Sequence, residues 1–194
     1  DTRRPAAACP TPACRARGCG RTVPAMNTPP YRFDTLSLGN GRMGIGPLPG
    51  RDGDLAGDLA QIAGFAPALV ISMTGADEMS ASGAARLPEE LARAGIAWAH
   101  FPVTDFGLPD SQTDAGWEAV SEQARGVLEA GGKVFVHCKA GLGRSGMVAM
   151  RLMVETGEAP EAALTRLRAV RPGAVETDAQ EKWASRRGDD GEDS

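Results

Sequence analysis

The sequence is poor in the residues that build membrane spans and metal centres. Aromatic residues make up 5% of its 194 residues, and histidine occurs twice, at His100 and His137. No stretch approaches the roughly 18 consecutive apolar residues that a membrane-spanning helix needs, so we expect no membrane partner. Apolar residues still make up 42% of the chain, which is enough for one globular core of ordinary size.

Cysteine is scarce and unevenly placed. Three of the four cysteines, Cys9, Cys14 and Cys19, lie close to the start of the chain, and Cys138 stands alone in the rest of it. Structural zinc sites pair their cysteines at closer spacing and need a second ligand pair, which the distant histidines do not supply. We therefore expect no metal and no other cofactor. A lone thiol fits a reducing compartment, which predicts a cytoplasmic location.

Positive charge is concentrated at the start of the sequence. Residues 1–25 carry a net charge of +4 and the remainder carries −8, against −4 for the whole chain. An acidic body lacks the broad basic surface that binds nucleic acid, so we expect no nucleic-acid partner. The abundance of Ala and Gly is typical of GC-rich bacterial genomes and predicts a bacterial source.

Composition divides the chain into three segments. Residues 1–28 are rich in Pro, Ala and Arg and lack the apolar core of a secretory signal, so we expect a disordered leader. Met26 is a candidate translation start within it. Residues 29–187 have the patterning of one folded domain, and residues 188–194 form an acidic tail. No internal repeat or second domain is evident. We expect a monomer.

Apolar patterns alternate between strand and helix periodicity along the domain. Alternating or continuous apolar runs predict strands, at 32–38, 43–46, 68–73, 96–102 and 133–138, with an Asn40-Gly41 hairpin between the first two. Helical spacing predicts helices at 55–65, 88–95, 113–132, 144–157, 160–170 and 176–187. The fold class is therefore α/β, with a mainly parallel central sheet flanked by helices. Such sheets bind ligands beyond the carboxyl ends of their strands.

A glycine-rich loop follows the last predicted strand. It reads Lys139-Ala140-Gly141-Leu142-Gly143 between Cys138 and Arg144. Glycines let backbone N–H groups turn inward, and with the N-terminus of the next helix they form a cradle for an anion. The same positive potential stabilises a thiolate, and the Arg144 guanidinium can bind two phosphate oxygens at once. We call residues 138–144 the phosphate loop.

Cysteine, five residues, arginine and serine form the active-site motif of the protein tyrosine and dual-specificity phosphatase superfamily, and the phosphate loop resembles it throughout. The resemblance implies the superfamily's single-domain fold, with Cys138 as nucleophile and residues 139–144 as the substrate-binding segment. It also implies that Ser145 hydrogen-bonds the cysteine sulfur and that His137 braces the loop. A buried structural cysteine and a helix-opening serine are the alternative interpretations.

A phosphoenzyme mechanism also needs an acid that protonates the leaving oxygen. Residues 100–110, which we call the acid loop, resemble the corresponding loop of the cyclin-dependent-kinase-associated (inhibitor 3-like) phosphatases. In that family an aspartate precedes a Gly-x-Pro-Asp stretch, which implies that Asp105 is the general acid. Asp110 is the competing candidate, and its alternative role is to cap the helix that follows.

A third segment resembles the kinase-associated and mitotic-exit dual-specificity phosphatases. It consists of Arg171-Pro172-Gly173, the two residues after it, and Gln180. The resemblance implies that Gln180 orients the attacking water. A solvent-facing Gln180 is equally compatible with the sequence, and both interpretations remain open.

The resemblance implies hydrolysis of phosphotyrosine, phosphoserine or phosphothreonine in a phosphorylated protein, through a cysteinyl-phosphate intermediate. A shallow dual-specificity pocket is favoured because the domain is short and Tyr31 is its only tyrosine. The alternatives are a phosphatase of phosphoinositides or other small phosphate esters and an inactive phosphoprotein-binding module. Lys139 fits the lipid alternative, whereas Leu142 stands where lipid phosphatases carry a second lysine. An arsenate reductase would need resolving cysteines near Cys138, and the domain has none.

Overall fold

A central sheet organises the domain. Within residues 30–187, which a computed structural model describes, five strands form this sheet: β1 (Asp34–Leu38), β2 (Gly41–Gly46), β3 (Leu69–Ser72), β4 (Ala97–His100) and β5 (Lys133–His137). Their order is β1-β2-β5-β3-β4, so β5 is the central strand. Strands β2, β5, β3 and β4 are parallel and β1 is antiparallel. The predicted mainly parallel sheet is confirmed.

The predicted leader at 1–28 and the acidic tail at 188–194 lie outside the described residues. The same holds for Cys9, Cys14 and Cys19 and for the candidate start Met26. The domain boundaries therefore stay predictions.

The hairpin between β1 and β2 turns one residue earlier than predicted. Leu38 pairs with Gly41, which leaves Gly39 and Asn40 as the two turn residues. Gly39 has a φ of 57°, a left-handed conformation that glycine adopts without strain and that two-residue hairpins require. The predicted Asn40-Gly41 turn is wrong by one position because Gly41 already pairs within β2.

Eight helices flank the sheet in the described part of the chain: α1 (Leu55–Phe65), α2 (Ala76–Ala81), α3 (Leu87–Arg93), α4 (Ser111–Ala115), α5 (Trp117–Glu129), α6 (Gly143–Glu155), α7 (Pro160–Val170) and α8 (Asp178–Ala184). The bounds of α1 and α7 are those predicted. Asp54 caps α1 by accepting a hydrogen bond from the Gly57 N–H at 2.8 Å. This cap satisfies one of the N–H groups that every helix start leaves free.

Two helical features differ from the prediction. The single helix expected at 113–132 is two helices, because Gly116 ends α4 and is also the residue that precedes α5. Helix α2 is not predicted at all, since its six residues are too few to show a helical period.

Two apolar cores cover the two faces of the sheet. Neighbouring residues of a strand point to opposite faces, so Val134 and Val136 of β5 join the core that includes α6, while Phe135 joins the core that includes α1 and α3. Almost every residue of α6 is buried. Packing therefore fixes the start of α6 next to the end of β5, and the phosphate loop is held at both ends.

Candidate active site

The phosphate loop starts at the carboxyl end of the central strand. Strands β2 and β3 flank β5 in parallel, so the loop lies at the sheet edge where α/β proteins bind ligands. Gly141 has a φ of 76°, and a Cβ at this position would lie 2.5 Å from the carbonyl carbon of Gly46. Both the left-handed backbone and the lack of space require glycine here.

Cys138 lies at the base of the phosphate loop, with 2% of its surface exposed. The Gly141 N–H donates to the Cys138 Sγ at 3.2 Å, and the Ser145 Oγ lies 3.4 Å from the same sulfur. No side chain of the described residues caps the start of α6, so the N–H groups of its first turn remain for an anion. These donors and the helix dipole make the phosphate loop a favourable site for an anion.

Arg144 is a buried cation in the first turn of α6, with 1% of its side chain exposed. Its Nη1 and Nη2 donate to the two carboxylate oxygens of Glu78 at 2.8 and 2.9 Å. Nη1 also donates to the Val103 carbonyl at 3.0 Å, and the Asp105 Oδ1 lies 3.0 Å from Nη2. Burial acts to lower the pKa of Arg144, but the Glu78 hydrogen bonds and the charges of Cys138, Glu78 and Asp105 raise it overall.

One donor of Arg144 is left over. The Nε–H is buried and has no hydrogen-bond partner within residues 30–187. A buried donor without an acceptor costs about 1–3 kcal/mol, so the site favours a bound group that supplies one. Nε and Nη2 together form a fork that suits two oxygens of a phosphate.

Glu78 is a site residue that the sequence analysis does not identify, because it lies on the unpredicted helix α2. Its hydrogen bonds with Arg144 are the largest cause that lowers the pKa of Glu78. A signal for it exists in the sequence. Glu78 follows a buried strand, and the carboxyl ends of β3 and β5 meet at the same sheet edge, where an acidic residue can face the arginine of the phosphate loop.

The two candidate acids occupy different positions. Asp105 lies beside Arg144, and 56% of its side chain is exposed. Asp110 is the N-cap of α4 and accepts from the Thr113 N–H at 2.8 Å. This backbone hydrogen bond is the largest cause that lowers the pKa of Asp110. Asp105 contacts the arginine of the phosphate loop, whereas Asp110 is held in a helix cap, so the geometry favours Asp105.

His137 is fully buried, and its Nε2 lies 2.6 Å from the Ser72 Oγ. The same hydroxyl accepts from the Trp98 Nε1 at 2.8 Å, so one network joins β5, β3 and β4 directly behind the phosphate loop. Burial is the largest cause that lowers the pKa of His137 to about 3, and the imidazole is therefore neutral. The arrangement fits a residue that braces the loop.

Gln180 has 0% of its surface exposed, so the solvent-facing alternative is wrong. Its Oε1 accepts from the Glu176 N–H at 3.0 Å, and its Nε2 donates to the Gly107 carbonyl of the acid loop at 3.4 Å. A Cβ at Gly143 would lie 3.2 Å from the same Nε2. Gln180 therefore connects α8, the acid loop and the start of α6.

Arg171 anchors the phosphate loop from outside. Its Nε donates to the Gly141 carbonyl at 2.9 Å and its Nη2 to the Ala140 carbonyl at 3.2 Å, while Nη1 donates to the Asp34 carboxylate at 2.8 Å. With these carbonyls bound on the outside, the N–H groups of the loop can face inward. The sequence resemblance marks this segment but does not predict the contact.

The other loop residues differ in exposure. Lys139 and Ala140 are exposed, Leu142 is half-buried and Gly143 is buried. The loop therefore presents its lysine side chain to solvent beside the buried thiol.

Metal and membrane features can be assessed only for the described residues. Within residues 30–187, no group of three or more His, Cys, Asp or Glu side chains could hold a metal ion. None of the helices in that range combines the length and the apolar character that a membrane span requires.

Comparison with known proteins identifies the family. Residues 78–184 match the family model described as "Dual specificity phosphatase, catalytic domain". The match covers more than half of the chain and includes Glu78, the acid loop and the phosphate loop. The chain belongs to the dual specificity phosphatase family, whose enzymes are cysteine-dependent.

Individual relatives agree with this assignment. Rat Cyclin-dependent kinase inhibitor 3 is 38% identical over 86 residues, which are 43% of this chain and 39% of that protein. A solved structure of kinase associated phosphatase, in which serine replaces the catalytic cysteine, has a TM-score of 0.68 and 24% identity, and the alignment covers 80% of this chain and 92% of that one. Tk-PTP in its active form has a TM-score of 0.58 and 28% identity, with 74% and 88% covered.

These similarities confirm the single-domain phosphatase-like α/β fold. The match spans about two fifths of the length of the curated rat relative. Because that relative is eukaryotic, it gives no support to the bacterial source predicted from composition.

Stability should depend on pH through His137. Its pKa in the folded protein, about 3, lies below the ordinary value of 6.5, so the unfolded chain takes up a proton first as the pH falls. The stabilisation is complete above pH 6.5 and is lost progressively as the pH falls towards 3. We expect a loss of about 2 kcal/mol in the free energy of unfolding between pH 6.5 and pH 5, measured by urea denaturation.

The matched control uses the second histidine. His137→Gln should flatten the pH dependence in this range, whereas His100→Gln should keep it. An equal decline in both variants and in the wild type would assign the effect to other groups.

Proposed function

We propose that the protein is a phosphoprotein phosphatase that hydrolyses phosphotyrosine, phosphoserine or phosphothreonine through a cysteinyl-phosphate intermediate. The observation that carries the proposal is the presence of two buried groups in one loop. The Cys138 thiol accepts a hydrogen bond from the Gly141 N–H, and the Nε–H of Arg144 has no partner among the described residues. A thiol nucleophile and an arginine with a free donor are what attack on a phosphate monoester requires. Membership of the dual specificity phosphatase family supports the same chemistry.

In the binding step, the phosphate oxygens accept from the inward N–H groups of residues 139–144 and from Nε and Nη2 of Arg144. Asp105 lies beside Nη2 before the substrate arrives and gives up this position to a phosphate oxygen. Because Asp105 lies on the exposed acid loop, it can shift towards the leaving group. Glu78 and the Val103 carbonyl keep their hold on Nη1, so the guanidinium stays in place.

In the first chemical step, the Cys138 thiolate attacks phosphorus, the S–P bond forms and the P–O bond to the leaving group breaks. Protonated Asp105 transfers its proton to the leaving oxygen. In the second step, ionised Asp105 removes a proton from water, the new O–P bond forms and the S–P bond breaks. Ser145 donates a hydrogen bond to the departing sulfur, since its Oγ lies 3.4 Å away. The scheme uses no cofactor.

We assign Gln180 to the second step. Its amide contacts Gly107 of the acid loop and lies next to Gly143 of the phosphate loop, which supports a role for its polar atoms near the attacking water. We therefore assign Gln180 to water positioning rather than to proton transfer.

The substrate class is a phosphorylated protein, in which the phosphate is carried by tyrosine, serine or threonine. The single tyrosine is engaged elsewhere, because the Tyr31 hydroxyl donates to the Pro47 carbonyl at 2.6 Å and its ring packs on Phe33. It therefore does not line a deep phosphotyrosine pocket. A monomer in the cytoplasm stays the prediction from sequence, and phosphoinositide hydrolysis and phosphoprotein binding without turnover are the alternative functions.

Hydrolysis of an aryl phosphate tests the proposed function. The wild type should turn over the substrate in the presence of excess chelator, because the thiol, the loop N–H groups and Arg144 supply the catalysis. Cys138→Ser should abolish turnover while the protein stays folded by circular dichroism. A folded wild type without activity on aryl phosphate and on phosphopeptides would favour the binding module.

A second test separates the two candidate acids. Asp105→Asn should lower kcat by roughly 10²–10⁴-fold, the usual contribution of a general acid. Asp110→Asn is the matched control, since it changes the same functional group at the helix cap, where Asn caps about as well as Asp and turnover should be kept. The reverse result, with full activity in Asp105→Asn, would assign the acid to Asp110.

A further inference from the structure

The loop between β2 and α1, residues 47–54, is built against the phosphate loop. The Leu48 N–H donates to the Lys139 carbonyl at 3.2 Å, and the Tyr31 hydroxyl donates to the Pro47 carbonyl at 2.6 Å. The Gly50 N–H donates to the buried Asp58 carboxylate at 2.7 Å. Three anchors of this kind give the loop a defined position at the edge of the active site.

This loop places a second cation beside Lys139. The Arg51 Nη1 donates to the Lys139 carbonyl at 3.2 Å, although 39% of the Arg51 side chain is exposed. The hydrogen bonds of Arg144 are the main cause that lowers the pKa of Glu78, and the charge of Lys139 lowers it further. The Lys139 ammonium is therefore close enough to act on the active site.

Neither cation is neutralised well by the protein. The carboxylate nearest to Arg51 is that of its exposed neighbour Asp52, at 3.3 Å, and ion pairs of this kind contribute little. Within residues 30–187, no carboxylate lies within ion-pair distance of Lys139, which is exposed. Because the Arg51 guanidinium contacts the Lys139 backbone, both side chains start from the same edge of the phosphate loop, and an anion bound there would be stabilised by two positive charges.

Another part of the active-site surroundings is acidic. A cleft next to Arg144 is lined by four acidic residues: Asp77, Glu78, Asp105 and Asp110. A ligand that carries negative charge on all sides, such as an inositol ring with several phosphates, would be repelled by this acidic cleft. A peptide can instead present a single acidic side chain to Arg51 and Lys139 and keep other negative charge away from the acidic cleft.

We propose that Arg51 and Lys139 form a second anion subsite, which binds an acidic side chain next to the phosphorylated residue of a peptide substrate. The subsite rests on the proposed phosphatase function and adds a sequence preference to it. The bound group is a carboxylate, or a second phosphate in a doubly phosphorylated peptide. Leu142, in place of a second loop lysine, and the net charge of −8 on the chain beyond residue 25 both disfavour an anionic membrane surface as the source of the anion.

The test compares pairs of phosphopeptides that differ only by Glu or Gln, placed directly before or directly after the phosphorylated residue. For wild type, kcat/KM should be roughly 5- to 10-fold higher for the Glu peptide of at least one pair, the size of a partly exposed charge-assisted contact. Arg51→Ala should bring that ratio close to one, and Arg51→Glu should invert it. Arg86→Ala, which removes an exposed arginine directly before α3, should keep the wild-type ratio.

The ratio distinguishes a subsite from a merely structural role of Arg51. If Arg51 only supports the packing of the phosphate loop, Arg51→Ala will lower kcat/KM for both peptides and leave the Glu/Gln ratio at its wild-type value. That result would overturn the subsite. Added salt should reduce the wild-type preference. A wild type that hydrolyses aryl phosphate but shows no Glu preference would overturn the subsite alone, whereas a wild type without aryl phosphatase activity would overturn the proposed function as well.

An activity assay on lipid-type substrates completes the test. Wild type and Arg51→Ala are assayed on a soluble inositol phosphate and on vesicles that contain a phosphoinositide. If Arg51→Ala loses activity on these substrates and not on the Glu peptide, the subsite binds a lipid headgroup and the peptide proposal is wrong.

Discussion

A buried cation controls the arrangement of the whole site. The guanidinium of Arg144 is removed from water, and a buried charge is tolerated only when partners surround it. Its partners come from three directions: Glu78 from α2, the Val103 carbonyl and Asp105 from the acid loop, and the sulfur of Cys138 through space. Elements that are far apart in sequence are thereby drawn to the carboxyl end of β5. The same pairing leaves the Nε–H for a phosphate oxygen.

The phosphate loop is held from outside so that its inside stays open to an anion. Arg171 binds two of its carbonyls, and Leu48 and Arg51 bind a third. Behind the loop, neutral His137 ties the end of β5 to Ser72 of β3. A loop with fixed carbonyls and inward N–H groups loses little entropy when an anion binds, which is the preorganisation that electrostatic catalysis needs.

The sequence predicts the parts of the site that are local. Cys138, the glycines and Arg144 occur within one short segment between a strand and a helix, so their position follows from the spacing and the motif resemblance implies their chemistry. Glu78 and Arg171 could not be inferred in this way. Their roles depend on contacts with residues that are 66 and 30 positions away in the sequence. In addition, α2 is too short to produce a periodic signal. Gln180 was ambiguous for a related reason, since only tertiary packing decides that its face of α8 is buried.

The fold shows the same division. The order and type of the longer elements follow from periodicity, and α1 and α7 have the predicted bounds. Apart from the missed helix α2, which is too short to show a period, two errors lie at glycines that serve two elements. Gly41 is read as a turn residue but pairs in β2, and Gly116 interrupts an apolar pattern that continues across it from α4 into α5.

The most direct test of the account is to find the phosphoryl group on the protein during turnover. The wild type is mixed with a phosphopeptide carrying radiolabelled phosphate, denatured within milliseconds in detergent at alkaline pH, where the S–P bond survives, then digested and mapped by mass spectrometry. The account predicts a transient label on the peptide that contains Cys138, and no label in Cys138→Ser. Label on another residue, or turnover of the peptide with no labelled protein at any quench time, would contradict it.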